Sequence, residues 1–149
     1  MPKLASNKRA RYDYEILDTI EAGVVLTGQE VKSAKTGHAA LKGAFVQIRN
    51  GEAWLKNAFI APYTHAGSLE TYDPYQNRKL LMRKSEIAKL KKKLDTEHLT
   101  IVPISLYTKA GKIKLEIGLG RGKKQHDKRA ATKKRELDRE ARTRQYQGL

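Results

Sequence analysis

The dipeptide Asn50-Gly51 constrains the fold more strongly than any other feature of this sequence. It separates two alternating runs within AFVQIRNGEAWLKNAFIA, and Asn-Gly is the preferred pair for a two-residue β-turn because both turn positions adopt positive φ. A second pair of alternating runs, HLTIVPISLYTKAGKIKLEIGLG, is joined at residues 109–112. The chain is therefore predicted to contain two β-hairpins and to be mainly antiparallel β.

Two short helices are predicted beside these strands. Thr27 followed by Glu30 matches a capping box and Gly37 is a natural stop, so the first helix is predicted at about residues 28–35. The apolar residues of LLMRKSEIAKLKKKL recur at helical spacing, which predicts the second helix. Five or six short strands with two helices suggest a sandwich or a small barrel, and an OB-like barrel is one instance.

The charge balance is strongly basic and predicts an anionic partner. The 149 residues carry 31 Lys and Arg against 16 Asp and Glu, a formal net charge of +15. Such a charge opposes compaction by self-repulsion, so the surface is expected to meet nucleic acid or an anionic membrane. We find no long apolar span and no secretory signal, and therefore predict nucleic acid as the partner, no membrane association and a cytoplasmic location.

Residues that carry catalysis or hold metals are sparse. There is no cysteine, which excludes disulfides and thiolate zinc sites. The histidines are scattered without metal-binding spacing, at His38, His65, His98 and His126. No pair of carboxylates is marked for acid–base chemistry, so we predict a protein that is not an enzyme and uses no metal or cofactor.

The last predicted strand runs into a charged segment, GLGRGKKQHDKR, in which three glycines are spaced by one residue. A linker, a phosphate-binding loop and an RNA-binding arm would all look similar, but the spacing matches neither a Walker loop nor a dinucleotide fingerprint. From Arg121 onward eleven Lys and Arg stand against four Asp and Glu. With so few large apolar residues this tail is predicted to be disordered alone and to form a helix on an RNA surface.

We therefore predict two parts: an RNA-binding domain at 1–120, whose residues 1–11 form a flexible basic arm, and a basic tail at 121–149. The glycines between them are interpreted as a hinge: Gly118, Gly120 and Gly122. Several aromatic residues could stack on bases: Tyr12, Tyr14, Tyr63, Tyr72, Tyr75 and Trp54. For Trp54, which lies within a hairpin strand, core packing is the favoured interpretation.

Four segments together resemble a known family. NKRARYDY, EAGVVLTGQEVKSAKTG, DPYQNRKLLM and IVPISLYTKAGKIKLEIGLGRGKKQHDKR occur in the order and spacing of the small protein B family, the bacterial partners of transfer-messenger RNA in trans-translation. The resemblance covers essentially the whole chain from Asn7. It implies an OB-fold-like antiparallel β-barrel with flanking short helices.

The resemblance also implies partners. It implies binding to the tRNA-like domain of transfer-messenger RNA, and delivery of that RNA with elongation factor Tu to a stalled ribosome. The tail would occupy the empty decoding centre of the small subunit and the mRNA channel, and the unfinished peptide would be tagged for proteolysis. We expect a monomer.

Site residues follow from matching the family's motifs to this sequence. Positions tied to RNA binding are Glu21, Leu81 and Lys114. The N-terminal basic motif supplies Asn7, Lys8, Arg9 and Arg11, and charge and placement add Lys32, Arg78 and Lys79. The tail set is Lys123, Lys124, His126, Asp127, Lys128, Arg129, Lys133, Lys134 and Arg135.

Three of these residues have expected roles. Lys114 lies on the polar face of its strand, where it can meet phosphate. Leu81 is interpreted as packing that positions Arg78 and Lys79, and Glu21 either contacts RNA or is structural. Two rival functions remain: a ribosomal or initiation-factor-like protein that binds ribosomal RNA directly, and an RNA-modifying or RNA-cleaving enzyme.

Overall fold

The computed structural model describes residues 3–63 and 71–123. Its strands are β1 (Lys3–Ser6), β2 (Tyr14–Val24), β3 (Ala39–Ala40), β4 (Phe45–Arg49), β5 (Glu52–Lys56), β6 (Phe59–Ile60), β7 (Arg78–Leu81), β8 (Thr100–Lys109) and β9 (Lys112–Gly122). Its helices are α1 (Ala10–Asp13), α2 (Gly28–Lys35) and α3 (Lys84–Glu97). This confirms the predicted fold class, mainly β with short helices.

Seven of the strands form one antiparallel sheet in the order β1-β8-β9-β2-β7-β5-β4, and β3 pairs with β6. Within the described residues the hydrogen-bonded sheet stays open, with β1 and β4 at its edges. The sheet nevertheless curls, and this brings the edge strand β4 into contact with β8. The arrangement is therefore OB-like without being a closed barrel.

Both predicted hairpins are confirmed. Asn50 and Gly51 have φ of 54° and 75° and join β4 to β5. Ala110 and Gly111 have φ of 52° and 76° and join β8 to β9. Each turn thus uses two positive-φ residues, the geometry that matches the twist of the flanking strands.

The first helix is also confirmed, with its capping box. The Thr27 hydroxyl accepts from the Glu30 N–H at 3.2 Å, and a Glu30 carboxylate oxygen accepts from the Thr27 N–H at 3.0 Å. These bonds satisfy backbone donors at the start of α2 that lack partners within the helix. The inner faces of the sheet and helices enclose an apolar core that includes Ala34, Leu55 and Leu115, all at most 2% exposed.

The flexible arm predicted at residues 1–11 is wrong for the described part of that segment. Lys3–Ser6 form β1 and pair with β8, and the Asn7 N–H donates to the Ile104 carbonyl at 2.7 Å. Ala10 is then buried at 2% exposure. The paired backbone and the buried alanine hold this segment against the sheet.

The hinge interpretation is wrong for Gly118 and Gly120. Both are buried in β9 and pair with β2, opposite Thr19 and Ile16. β9 continues to Gly122, and the next N–H, of Lys123, donates to the Asp13 carbonyl at 2.9 Å. The folded region therefore extends beyond the predicted boundary at residue 120.

Candidate nucleic-acid interface

Leu81, Gly23 and Lys114 lie side by side on three adjacent strands. In the register Gly23 is paired with Leu81 on β7 and with Lys114 on β9, and cross-strand partners share one face of a sheet. A Cβ added at Gly23 would lie 3.1 Å from the Leu81 Cβ, so the absence of a side chain at Gly23 allows Leu81 to lie close against β2. Together with Glu21, which precedes Gly23 by two residues on the same face, we call these residues the three-strand patch.

Leu81 projects into solvent at 59% exposure. The interpretation that it serves as packing for its neighbours is therefore wrong. Its buried neighbour is Leu80, at 2% exposure, which supplies the core contact of β7. An open cleft of about 300 Å³ runs beside Leu81 and is lined also by Gly23, Val31 and Lys114. The patch thus offers an apolar side chain next to an ammonium group.

Glu21 is held by neighbours from β8. Its carboxylate accepts hydrogen bonds from the Tyr107 hydroxyl and from the Lys109 ammonium, the latter at 3.5 Å. The hydrogen bond from Tyr107 is the largest cause that lowers the pKa of Glu21, and the positive charges of Lys109 and Lys114 lower it further against the effect of burial. Burial and the Glu21 carboxylate in turn raise the pKa of Tyr107. Glu21 is therefore ionised at neutral pH and orients two side chains beside Lys114.

The sequence pattern did not indicate Tyr107, and the register explains its place. It is paired with Lys114 across β8 and β9, so its ring lies on the same face as the patch. The alternation of β8 could have indicated this face, but nothing local in the sequence connects Tyr107 with Glu21, 86 residues away.

Arg78 is not at the surface, so the prediction that it contacts RNA is wrong. The residue is 2% exposed. Its guanidinium lies 2.7 Å from a Glu30 carboxylate oxygen and donates to the carbonyls of Ala58 at 2.6 Å and Pro74 at 2.9 Å. An arginine so enclosed joins α2, β7 and the segment before β7, and it has no free donor face for a ligand.

Glu30 is the acceptor at the centre of this buried cluster. Besides Arg78 it accepts from Gln76 at 3.0 Å and from the Tyr72 hydroxyl at 3.3 Å. Burial alone would raise the pKa of Glu30, but the hydrogen bonds from the Thr27 backbone, Gln76 and Arg78 outweigh it and lower the pKa. The sequence indicated only the capping role of Glu30.

Two other cations predicted from charge are exposed. Lys79 pairs with Glu52 at 3.5 Å, with both side chains nearly half exposed. Lys32, in the last turn of α2, places its ammonium 5.7 Å from the centre of the Tyr63 ring. Lys79 lies two residues before Leu81 on β7, so its side chain extends the face of the three-strand patch.

The N-terminal basic motif lies beside β8 and the residue that follows β9. The Asn7 amide donates to the Pro103 carbonyl at 3.0 Å, and the Arg9 guanidinium lies 4.7 Å from the centre of the Tyr12 ring. Lys8 and Arg11 are exposed. The Lys123 ammonium donates to the Arg11 carbonyl at 2.8 Å, so the first of the predicted tail site residues contacts this motif.

The site residues therefore form two groups. One is the three-strand patch with Lys79, and the other is the N-terminal motif with Lys123. Lys114 and Lys123 are nine residues apart, which is ~30 Å of extended strand. The remaining tail residues lie outside the described part of the chain: Lys124, His126, Asp127, Lys128, Arg129, Lys133, Lys134 and Arg135.

Trp54 is not in the core, so the favoured interpretation of this residue is wrong. Its neighbours Ala53 and Leu55 are buried at 1% and 2% exposure, whereas Trp54 is partly exposed on the other face of β5. In the register it lies between Gln47 on β4 and Lys79 on β7.

Within residues 3–63 and 71–123, no three His, Cys, Asp or Glu side chains are grouped in a way that could hold a metal ion. In the same residues, none of the helices has the length and apolar character needed to cross a bilayer.

A family model, curated relatives and a solved structure match most of this chain. The model described as SmpB protein matches residues 4–147. The SsrA-binding protein of Streptococcus mutans is 50% identical over 137 residues, which is 92% of this chain and 88% of the relative. That of Coprothermobacter proteolyticus is 50% identical over 143 residues, which is 95% of each chain. A chain solved in work described as "tmRNA-SmpB: a journey to the center of the bacterial ribosome" is 45% identical, with a TM-score of 0.65 over 80% of this chain and 84% of that chain.

Proposed function

The chain belongs to the SmpB protein family, and from this premise we propose that it binds transfer-messenger RNA and acts with it in trans-translation, the rescue of stalled ribosomes. The relatives are named SsrA-binding proteins, after the RNA that tags unfinished peptides. The similar solved chain comes from work on tmRNA, SmpB and the bacterial ribosome. The family is one of RNA-binding proteins, and we propose that this member acts by binding, without catalysis.

The observation that carries the proposed RNA site is the gathering of three dispersed residues on one face. Glu21, Leu81 and Lys114 are up to 93 positions apart in the sequence, yet the register brings them onto adjacent strands. Lys114 supplies a cation for phosphate and Leu81 an exposed apolar contact. We propose that this patch holds the tRNA-like domain of the RNA by its shape, through backbone and 2′-hydroxyl contacts.

Glu21 has a positioning role in this proposal. Its carboxylate is occupied by Tyr107 and Lys109, and an anion in a phosphate-binding face would otherwise oppose binding. By holding the Lys109 ammonium beside Lys114, Glu21 prepares a second cation for the RNA, whereas the Tyr107 hydroxyl, which donates its proton to Glu21, can act only as an acceptor there.

The tail has a separate role in the proposal. The residues after Lys123, which follow the end of β9, would enter the empty decoding centre and mRNA channel of the stalled ribosome and become helical there. The excess of Lys and Arg over Asp and Glu in this segment supports contact with ribosomal phosphates. The protein would act as a monomer in the cytoplasm, in a delivery complex with elongation factor Tu.

Capture of RNA from a bacterial lysate tests the proposed RNA partner. The full chain is expected to enrich one dominant transfer-messenger RNA, whereas Leu81→Ala is expected to lose most of that enrichment. Because Leu81 is 59% exposed, its replacement should leave the free energy of unfolding almost unchanged. Equal capture of unrelated folded RNAs would instead favour a ribosomal or initiation-factor-like protein, and metal-dependent cleavage of the captured RNA would favour an enzyme.

Truncation tests the proposed tail role. The cut belongs after Lys123 and not after Gly120, because β9 extends to Gly122 and Lys123 bonds to Asp13 and Arg11. The shortened protein is expected to keep its affinity for the tRNA-like domain and to lose peptide tagging on stalled ribosomes. Tagging at the full rate by the shortened protein would refute the tail role and leave the RNA site intact.

A further inference from the structure

The outer face of β4, β5 and β7 carries an aromatic side chain that the fold does not use. Alternation along β5 buries Ala53 and Leu55 and turns Trp54 outward. In the described part of the chain no ring pairs with the Trp54 indole, and no hydrogen bond is made by its N–H. A large amphipathic side chain without a partner on a sheet face is typical of a binding surface.

The surroundings of Trp54 are polar and mostly cationic. In the register, Gln47, Trp54 and Lys79 form one row across the three strands. The neighbouring rows contain the pairs Phe45–Lys56 and Arg49–Glu52. An open cleft of about 370 Å³ passes over this face, lined by Arg49, Asn50, Glu52, Trp54, Lys56 and Asn77.

Charge indicates the chemistry of the occupant. Arg49, Lys56 and Lys79 surround Trp54, against the single carboxylate of Glu52. The only ion pair that a described residue of this face makes is Lys79–Glu52, at 3.5 Å and largely solvated, and such exposed pairs are worth little. The three cations can therefore bind phosphate at a small cost in free energy.

Continuity with the three-strand patch indicates which phosphate-bearing molecule is held. Lys79 belongs to the row of Trp54 and lies two residues before Leu81 on the same face of β7. A single RNA seated on Leu81 and Lys114 would therefore continue onto Trp54.

We propose that Trp54 is a stacking platform for one unpaired base of the RNA bound by the three-strand patch, with Arg49, Lys56 and Lys79 contacting the phosphates on either side. An indole binds any base through its π-face, and its N–H can donate to the base or to the backbone. This inference rests on the proposed function and adds a contact with an unpaired nucleotide to recognition that otherwise depends on shape.

The sequence provides its own probe, since Trp54 is the only tryptophan. Titration with a transcript of the tRNA-like domain of transfer-messenger RNA is expected to quench the indole fluorescence, saturating at one RNA per protein. A gel shift under the same conditions reports binding independently. A shift without quenching would overturn the stacking inference alone, whereas the absence of any shift would overturn the proposed function as well.

Two substitutions separate stacking from structure. Trp54→Phe keeps an aromatic face and is expected to bind within about twofold of wild type, whereas Trp54→Leu is expected to bind roughly tenfold more weakly with an unchanged salt dependence. Tyr75→Leu is the matched control and is expected to bind as tightly as wild type. Tyr75 is also exposed, but its ring packs on Phe59 of the other sheet, with 5.3 Å between the ring centres. Thermal unfolding of each variant checks that the fold is kept.

Two results would contradict the inference. Equal affinity of Trp54→Leu and wild type would remove Trp54 from the RNA site. Quenching that depends on protein concentration without RNA, together with a sedimenting dimer, would identify the face as a contact between copies of this chain.

Discussion

Glu30 and Arg78 form an ion pair that is almost completely buried, with 2.7 Å between the guanidinium and the carboxylate and side chains 2% and 1% exposed. The two residues are 48 positions apart and belong to α2 and β7. Burying two charges costs several kcal/mol per ion before their attraction and hydrogen bonds offset it. The pair is tolerated here because Ala58, Pro74, Gln76 and the Thr27 backbone satisfy the remaining donors and lone pairs.

Arg78→Met should destabilise the protein strongly. It leaves the Glu30 carboxylate buried without its cation, and the loss of one partner of a buried pair costs about 3–5 kcal/mol. Urea unfolding followed by circular dichroism measures the change. The exposed Lys79→Met variant, which breaks only the solvated pair with Glu52, should lose no more than about 1 kcal/mol. Similar losses in the two variants would mean that burial of Arg78 contributes little.

Stability should fall in acid through Glu30. Its pKa in the folded protein is lowered from the ordinary value of 4.5, so the unfolded chain takes up this proton at a higher pH than the folded protein does. The contribution of Glu30 is therefore fully present above pH 4.5 and is lost as the pH falls through the lowered pKa. The free energy of unfolding of wild type should decrease over this window more steeply than that of Glu30→Gln, which has no proton to bind. Parallel pH profiles of wild type and Glu30→Gln would show that Glu30 does not cause the loss of stability in acid.

The predictions that local residues determine were confirmed. The Asn50-Gly51 turn needs only two residues with positive φ, and the helix at Gly28–Lys35 needs only the reciprocal bonds of Thr27 and Glu30. Both are specified within a few positions. The sequence pattern is therefore sufficient to predict the elements that are stabilised by residues close together in the chain.

The failed predictions for Leu81 and Trp54 share a different cause, the phase of a strand. In RKLL and in AWLK two large apolar residues are adjacent, and alternation buries only one of them. Packing against the core selected Leu80 and Leu55 and left Leu81 and Trp54 outside. A shift by one residue reverses every side chain in a strand, and the sequence alone does not fix that choice where both candidates are apolar.

Long-range contacts determine the burial of Arg78 and the arrangement of the three-strand patch. Arg78 looked like a surface cation because charged side chains are rarely buried unless they are paired, and its partner is 48 positions away. The resemblance indicated Glu21, Leu81 and Lys114 as separate positions. Their arrangement as one patch depends on the strand order β9-β2-β7, which is not the order of the sequence.

Gly118→Ala should destabilise the sheet, although glycine there was interpreted as a hinge. An added Cβ would lie 2.8 Å from Ile104 Cδ1 and 3.1 Å from Ile16 Cγ2, so packed side chains must move. Overpacking of this kind costs about 1–3 kcal/mol. At Gly122, where nothing lies within 4 Å of the added Cβ, alanine should be neutral or slightly stabilising. Urea unfolding of both variants measures the two changes. If the glycines formed a hinge, the two variants would have nearly the same free energy of unfolding.

Lys114→Ala should weaken binding of the tRNA-like domain and reduce its dependence on salt. A lysine that contacts one phosphate releases about one counterion, so the slope of log Kd against log salt concentration should fall by about one unit. Filter binding at several salt concentrations measures that slope. Lys93→Ala removes the same charge from the exposed surface of α3, away from the three-strand patch, and should leave the slope unchanged. An unchanged slope for Lys114→Ala, or an equal reduction for both variants, would mean that Lys114 makes no specific phosphate contact and that only the overall charge of the protein matters.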